Sequence, residues 1–168
     1  MELVILDKTP KIAVYSPPNQ QPWDDAVTLA LTYADIKYDV VFDDEVMNGA
    51  LYKYDWLHLH HEDFTGQYGK FYRYRNQSWY KQMENSFTQT ANKYGYDTVH
   101  KFRKTIDLKI RDYVRKGGFL FAMCSATDSF DIALSFYNID FAHSIYDGTP
   151  IDNFDPLSVD YSNGCLLY

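Results

Sequence analysis

Cys124 stands where the apolar run FLFAM, residues 119–123, gives way to a helix-like stretch beginning Ser125-Ala126-Thr127. A thiol can be held up as a nucleophile on a sharp strand-to-helix turn only if the residues two places to either side are small, because larger side chains collide with the adjoining strand and helix. Ala122 and Ala126 meet that requirement, giving A-x-C-x-A without glycine's freedom. Backbone N–H groups at the start of the following helix, Ser125 first, favour a thiolate and can steady an oxyanion, while Asp128 opposes the thiolate with its negative charge. The alternative is a small apolar residue filling a core, since free cysteine is among the residue types most often buried.

The company of Cys124 is the segment HLHHED, residues 58–63. If the strand carrying it neighbours the strand before Cys124, then His60, His61 and Glu62 finish at the same sheet edge as the thiol. A neutral imidazole within reach takes a thiol proton, and a carboxylate behind it fixes the tautomer. His58 shares a face with His60, lies deeper in the strand and reads as a core histidine. A second reading of H-x-H followed by acidic residues is a metal site, although one segment does not supply a full ligand set and no metal is assigned. His143 is an alternative base. His100 falls in a basic helix and is expected to be solvated.

Residues 64–97 are longer than a crossover needs and read as an insertion or lid. They carry Lys70, Arg73 and Arg75 among Tyr68, Phe71, Tyr72, Tyr74, Trp79 and Tyr80. Leaving from the same sheet edge, such a segment can fold over the site, with Arg73 or Arg75 clamping a substrate carboxylate or phosphate and Tyr68 beside it. An ordinary solvated loop pinned by aromatics is the competing reading.

Those side chains need a scaffold, and the sequence supplies one by alternation. KIAVYS, residues 11–16, is a strand-like run halted by Pro17-Pro18; residues 22–36 follow with Pro22, Asp24 and Asp25 suited to a first helical turn and Ala26, Leu29, Ala30 and Tyr33 at helical spacing. YDVVFDDEV, residues 38–46, reads as a second strand and YDWLHLHHED, residues 54–63, as a third. A helix is expected over 78–93, ended by Gly95, and another over 98–116, with Phe102, Ile106, Ile110, Tyr113 and Val114 on one stripe and Gly117 stopping it. FLFAM is the fourth strand, and residues 127–136 form the helix after it. The pattern predicts one α/β domain over 1–168, a three-layer, doubly wound, mainly parallel sheet of flavodoxin-like type, with right-handed crossovers. After Asp140 the pattern weakens, and the final patch from Cys165 to Tyr168 has no visible successor, so the chain reads as part of a longer protein.

Composition bounds the partners. The chain has 168 residues and a formal net charge of −7, which disfavours nucleic acid or an anionic membrane, since both reward a basic face. A small-molecule ligand is the expected partner. The start, MELVILDK, is too short in its apolar run for a signal-peptide core, no stretch approaches a membrane span, and a cytoplasmic address is the default. Two cysteines match no zinc spacing or disulfide framework, and no cofactor is expected. Aromatics make up 18% of residues, sixteen of them tyrosine, for half-buried packing or for stacking on a sugar or another ring.

With strand, cysteine turn and the preceding RKGG in place, residues 11–141 resemble the class I glutamine amidotransferase-like superfamily, which includes ThuA-like and DJ-1-like proteins. More closely, YSPPNQQPWDDAVTLALTYADI, YDWLHLHHEDFTGQYGKFY and GGFLFAMCSATDSFDIAL are similar to a group of bacterial proteins labelled asparagine synthetase B. The resemblance implies the flavodoxin-like sheet and puts Cys124 at the amidotransferase nucleophile. It departs from the family elsewhere. No His-x-Glu follows Cys124, His60-His61-Glu62-Asp63 replaces the glycine-rich oxyanion turn, and Ser16-Pro17-Pro18 stands where DJ-1-like proteins keep an acid. Ser125 to Ser129 lacks the glycine pair that lets backbone approach a pyrophosphate, so ATP-dependent asparagine synthesis is not expected. The expectation is a domain that binds a small polar molecule at the strand ends and hydrolyses an amide or ester through Cys124, His60, His61 and Glu62. The alternatives are a non-catalytic sugar- or peptide-binding module and a histidine-based metal-dependent hydrolase.

Overall fold

A computed structural model describes residues 9–18 and 26–164. Within them four short strands, β1 (Ile12–Tyr15), β2 (Tyr38–Val41), β3 (Trp56–Leu59) and β4 (Phe119–Ala122), form one sheet in the order β2-β1-β3-β4 with every pairing parallel. The register places Val14, His58 and Phe121 side by side, and Tyr15, Leu59 and Ala122 side by side one residue later. All four strands therefore end at one edge, and β3 and β4 are neighbours, as the sequence requires for a shared site. The architecture is α/β and consistent with a flavodoxin-like fold.

Alternation along each strand separates the two faces. Ala13, Tyr15, Val41, Leu57 and Leu59 join Phe102, Ile106 and Ile110 of helix α4 (Val99–Arg115) in one core cluster with Ala126, Phe130 and Leu134 of helix α5 (Ser125–Ser135). Leu57, Leu59, Ile106 and Ile110 are each fully buried, and burying a side chain of this size stabilises the fold by about 1.5–3 kcal/mol. The stripe predicted for α4 is the one buried. Its N-terminus is capped by the Thr98 hydroxyl, which accepts from the Lys101 N–H at 3.2 Å. Its end is closed by Gly117 at φ +96°, with the Gly118 N–H donating to the Tyr113 carbonyl at 3.0 Å. A Cβ on Gly118 would lie 2.2 Å from the Tyr113 ring, so that position admits no side chain.

The opposite face is thinner. Ile12 and Val14 are buried there, yet Phe119 and Phe121 of the edge strand β4 stay exposed beside Trp56. Helix α1 (Ala26–Tyr33) follows β1 and buries Thr28 and Leu31; the predicted first-turn residues Pro22, Asp24 and Asp25 lie outside the described residues, as does the patch from Cys165.

Strand two is shorter than its composition suggests. It stops at Val41, and residues 43–46, read as strand, belong to helix α2 (Asp43–Met47). The cause is local: the Glu45 carboxylate accepts from the Phe42 N–H at 2.9 Å, and three acidic residues occupy the helix's positive end. Residues 64–97 carry a 3-10 segment (Gly69–Tyr74) and helix α3 (Ser78–Lys93), with Gly95 just beyond the helix, as expected, at φ +81°. Gly69 packs so tightly on Tyr146, in the one-turn helix α6 (Ser144–Asp147), that a Cβ would fall 2.4 Å from its Cα. His100 departs from expectation: it is 7% exposed, because residues 140–147 pack over the start of α4.

Candidate functional site

Cys124 occupies a backbone conformation that side chains avoid. Its φ is 54° and ψ −134°, immediately before α5, and the residue is exposed. Such a conformation costs a non-glycine residue roughly 1–3 kcal/mol and persists only where the surroundings impose it. Here the surroundings are visible. The Met123 N–H donates to the Leu59 carbonyl at 3.1 Å, extending the β3–β4 ladder to the turn. Ala126 is fully buried, and its N–H folds back to the Met123 carbonyl at 3.2 Å. The requirement for a small residue two places after the thiol is thus met by a side chain with no room to grow.

The end of β3 is stitched to this turn. The Ser125 hydroxyl donates to the His61 carbonyl at 2.8 Å, and Lys70 Nζ donates to the same carbonyl at 2.7 Å and to Ser125 Oγ at 2.9 Å. Ser129, one turn later, donates from its hydroxyl to the Glu62 carbonyl at 3.3 Å. Segments 61–62 and 124–129 therefore form one connected rim.

Along that rim the predicted residues separate by environment. His60 is buried, with its ring centroid 4.0 Å from that of exposed His61. His58 is fully buried, with Nδ1 3.2 Å from the Phe121 carbonyl and its ring stacked on Phe121, as expected of a core histidine. A cavity of about 240 Å³ opens beside His61, lined by Glu62, Asp63, Gln67, Tyr68, Lys70 and Arg103 among others. Cys124, Ser125 and His60 lie outside this lining. Arg73 and Arg75 also lie outside it; both are exposed, with guanidinium carbons 5.1 Å from the Tyr74 ring centroid and 4.7 Å from that of Tyr72. The cations in the cavity wall are Lys70, from the 3-10 segment, and Arg103, from α4. Tyr68 is half-buried, and its hydroxyl is pushed up to about 12 by burial and by Glu84. His143, the alternative base, is exposed at the N-terminus of α6 and accepts from the Ile145 N–H at 3.3 Å.

Glu62 is 8% exposed, and its Oε2 is buried without a hydrogen-bond partner. Burial pushes its carboxyl up to about 7, against the pull of Arg103 and Lys70. A group whose folded pKa exceeds its unfolded one binds more protons when folded, so stability falls as pH rises from the unfolded pKa through the folded one. For Glu62 that window runs from about 4.5 to about 7 and is worth roughly 3 kcal/mol, at about 1.4 kcal/mol per pKa unit. Buried Asp107 and Asp147 are shifted the same way, so the contribution of Glu62 is read by difference. Glu62→Gln is expected to flatten the decline in melting temperature between pH 5 and 8. An unchanged slope would show that Glu62 titrates normally.

No sequence pattern singles out Arg103. It is 2% exposed, donates to Asp43 Oδ1 at 2.7 Å and to the Tyr15 hydroxyl at 2.8 Å, and lies over the Phe87 ring at 5.1 Å. The neighbouring charges hold its guanidinium firmly protonated, while burial pushes Asp43 up against the pull of Arg103. A second cavity, about 410 Å³, shares Phe71, Met83 and Phe87 with the first and is lined also by Phe42, Trp79 and Asp43. Among the described residues, the potential metal ligands that gather within 4.8 Å of one another are His100, Asp140 and Asp147, and none comes from HLHHED. No helix among the described residues is long and apolar enough to cross a membrane.

Comparisons of the chain with protein-family models, with curated proteins and with solved structures return no match.

Proposed function

We propose that this chain is a class I glutamine amidotransferase-like domain of the flavodoxin-like, doubly wound type, and that it hydrolyses an amide or ester bond in a small polar molecule through Cys124. The observation that carries the reading is the backbone of Cys124, φ 54° and ψ −134°, at the end of a strand whose parallel neighbour delivers His60, His61 and Glu62 to the same edge. Strain stored at an exposed thiol on a strand-to-helix turn has a use in nucleophilic chemistry and none in packing.

In this reading Cys124 Sγ attacks the carbonyl carbon and His61 takes the thiol proton, being exposed and in the cavity wall where His60 is buried. The proton passes to the departing amine or alcohol, leaving a thioester on Cys124. Water then adds to the thioester, the acid departs, and the thiol is restored. The Ser125 N–H steadies the oxyanion. Glu62 stands beside His61 in the cavity wall as the carboxyl available to orient the imidazole, and Lys70, also in that wall, attracts an anionic group of the substrate. The base comes from the segment that follows β3, replacing the His-x-Glu that glutaminases of this superfamily keep after the cysteine, so the substrate need not be glutamine. Incubation with p-nitrophenyl acetate is expected to add one acetyl group to Cys124, seen by mass spectrometry, and Cys124→Ala abolishes both the adduct and nitrophenol release. Equal release by the variant would overturn the proposal.

A second reading has its own observation. Phe71 and Trp79 are each 44% exposed beside the 410 Å³ cavity, a stacking surface for a sugar or an aromatic peptide side chain. Tryptophan fluorescence titrated with oligosaccharides, and lost in Trp79→Ala, would favour this binding module over a hydrolase.

A further inference from the structure

Away from the cysteine rim, three buried side chains, an imidazole and two carboxylates, converge. His100 near the start of α4, Asp140 after α5 and Asp147 at the end of α6 bring Nδ1, Oδ1 and Oδ2 together, with His100 Nδ1 3.4 Å from Asp140 Oδ1 and 4.0 Å from Asp147 Oδ2. The side chains are 9%, 10% and 0% exposed. His100 Nδ1 and Asp147 Oδ2 are both buried without a hydrogen-bond partner. Leaving such atoms unsatisfied costs free energy unless something absent from the polypeptide meets them.

We propose that His100, Asp140 and Asp147 form a binding site for one divalent transition-metal ion of the Zn²⁺ type. Bond lengths of about 2.0–2.2 Å to imidazole nitrogen and carboxylate oxygen imply ligand atoms about 3.4 Å apart around a tetrahedral ion. The His100 to Asp140 spacing already has that value, the His100 to Asp147 spacing exceeds it by a fraction of an ångström, and all three ligand atoms lie within 4.8 Å of one another. One imidazole and two carboxylates suit Zn²⁺ or Mn²⁺ and exclude the soft, thiolate-seeking ions.

Neighbouring groups hold the three side chains in place. Thr149 holds both carboxylates through the oxygens that do not face His100: its hydroxyl donates to Asp140 Oδ2 at 2.6 Å and its N–H to Asp147 Oδ1 at 2.9 Å. The Ala142 N–H donates to Asp140 Oδ1 at 3.3 Å. Gly66 leaves room at the imidazole, since a Cβ there would stand 2.8 Å from His100 Nδ1. Buried Lys104 donates to the carbonyls of Ala133 and Phe136 at 3.0 Å each. Asp152 adds a further negative charge, accepting from the Asp140 N–H at 2.8 Å. Three protein ligands leave a position for water or a ligand, and a cavity of about 460 Å³ opens on His100 and Asp140.

The test uses the full chain stripped with a chelator and titrated with Zn²⁺ against a chromophoric competitor, with Co²⁺ as a spectroscopic substitute. One Zn²⁺ per chain is expected, with a rise in melting temperature and with cobalt bands of a four-coordinate site. Asp147→Asn, nearly isosteric, should weaken binding at least a hundredfold. Thr149→Val, which keeps all three ligands, should weaken it about 10- to 100-fold, and serves if the first variant does not fold. His60→Ala/His61→Ala should bind as the unaltered chain does. Absence of stoichiometric binding, or binding that survives Asp147→Asn and Thr149→Val but is lost in the His60/His61 variant, overturns the proposal.

Discussion

Cys124→Gly is expected to melt above the unaltered chain while losing all thiol chemistry. At φ 54° and ψ −134° any Cβ is strained by roughly 1–3 kcal/mol, and glycine removes that strain. Against this, glycine adds roughly 0.4–1 kcal/mol of unfolded-state entropy. The net gain is about 1 kcal/mol, equivalent to about 2–4 °C in melting temperature for a chain of this size. Cys124→Ala keeps the Cβ and gains nothing, so a comparison of the two variants by calorimetry isolates the backbone term. Both lose the nucleophile, and a hydrolytic rate that depends on it falls by on the order of 10⁴-fold or more. A glycine variant no more stable than the alanine variant would mean that the turn is not strained, and the main support for a nucleophile would be gone.

Asp43→Ala should be the most damaging single change to the fold. Asp43 and Lys93's partner Asp44 are neighbours in sequence, and each accepts from a cation at 2.7 Å, yet magnitudes set them apart. Asp43 and Arg103 have side chains 1% and 2% exposed, so removing the carboxylate leaves a buried guanidinium uncompensated, at a cost of about 3–5 kcal/mol. Tyr15 loses an acceptor in the same step, since its hydroxyl donates to Asp43 Oδ1 at 2.5 Å. Asp44 and Lys93 are 47% and 57% exposed, and Asp44→Ala should cost at most about 1 kcal/mol. Urea unfolding of the two variants measures the contrast directly. Comparable losses would show that Arg103 finds other compensation, and partial recovery in Asp43→Ala/Arg103→Met would show that the uncompensated charge is the cause.

How far each feature could be read from sequence depended on how local its causes are. Alternating apolar strands and an amphipathic helix dictated the parallel sheet and the face that α4 buries, and the A-x-C-x-A spacing located the strained turn. Residues 43–46 misled because Phe42, Val46 and their neighbours have strand-like composition, whereas one side-chain cap from Glu45 and a cluster of acids at a helix N-terminus decided the outcome. His100 sits at the margin of the α4 stripe, and its burial comes from residues 140–147, an irregular segment with no periodicity to read. Arg103 finds Asp43 sixty residues earlier in the chain, a pairing that no local pattern announces. The same long-range packing places Lys70 and Arg103 in the wall of the cavity beside His61.

Alkylation of Cys124 by iodoacetamide at neutral pH, followed by peptide mass mapping in the unaltered chain and in His61→Ala, tests the nucleophile most directly. If His61 activates the thiol, labelling outpaces that of a small free thiol such as glutathione and slows at least tenfold in the variant. A rate equal to that of glutathione, unchanged by His61→Ala, would leave Cys124 an exposed but idle thiol and would contradict the account.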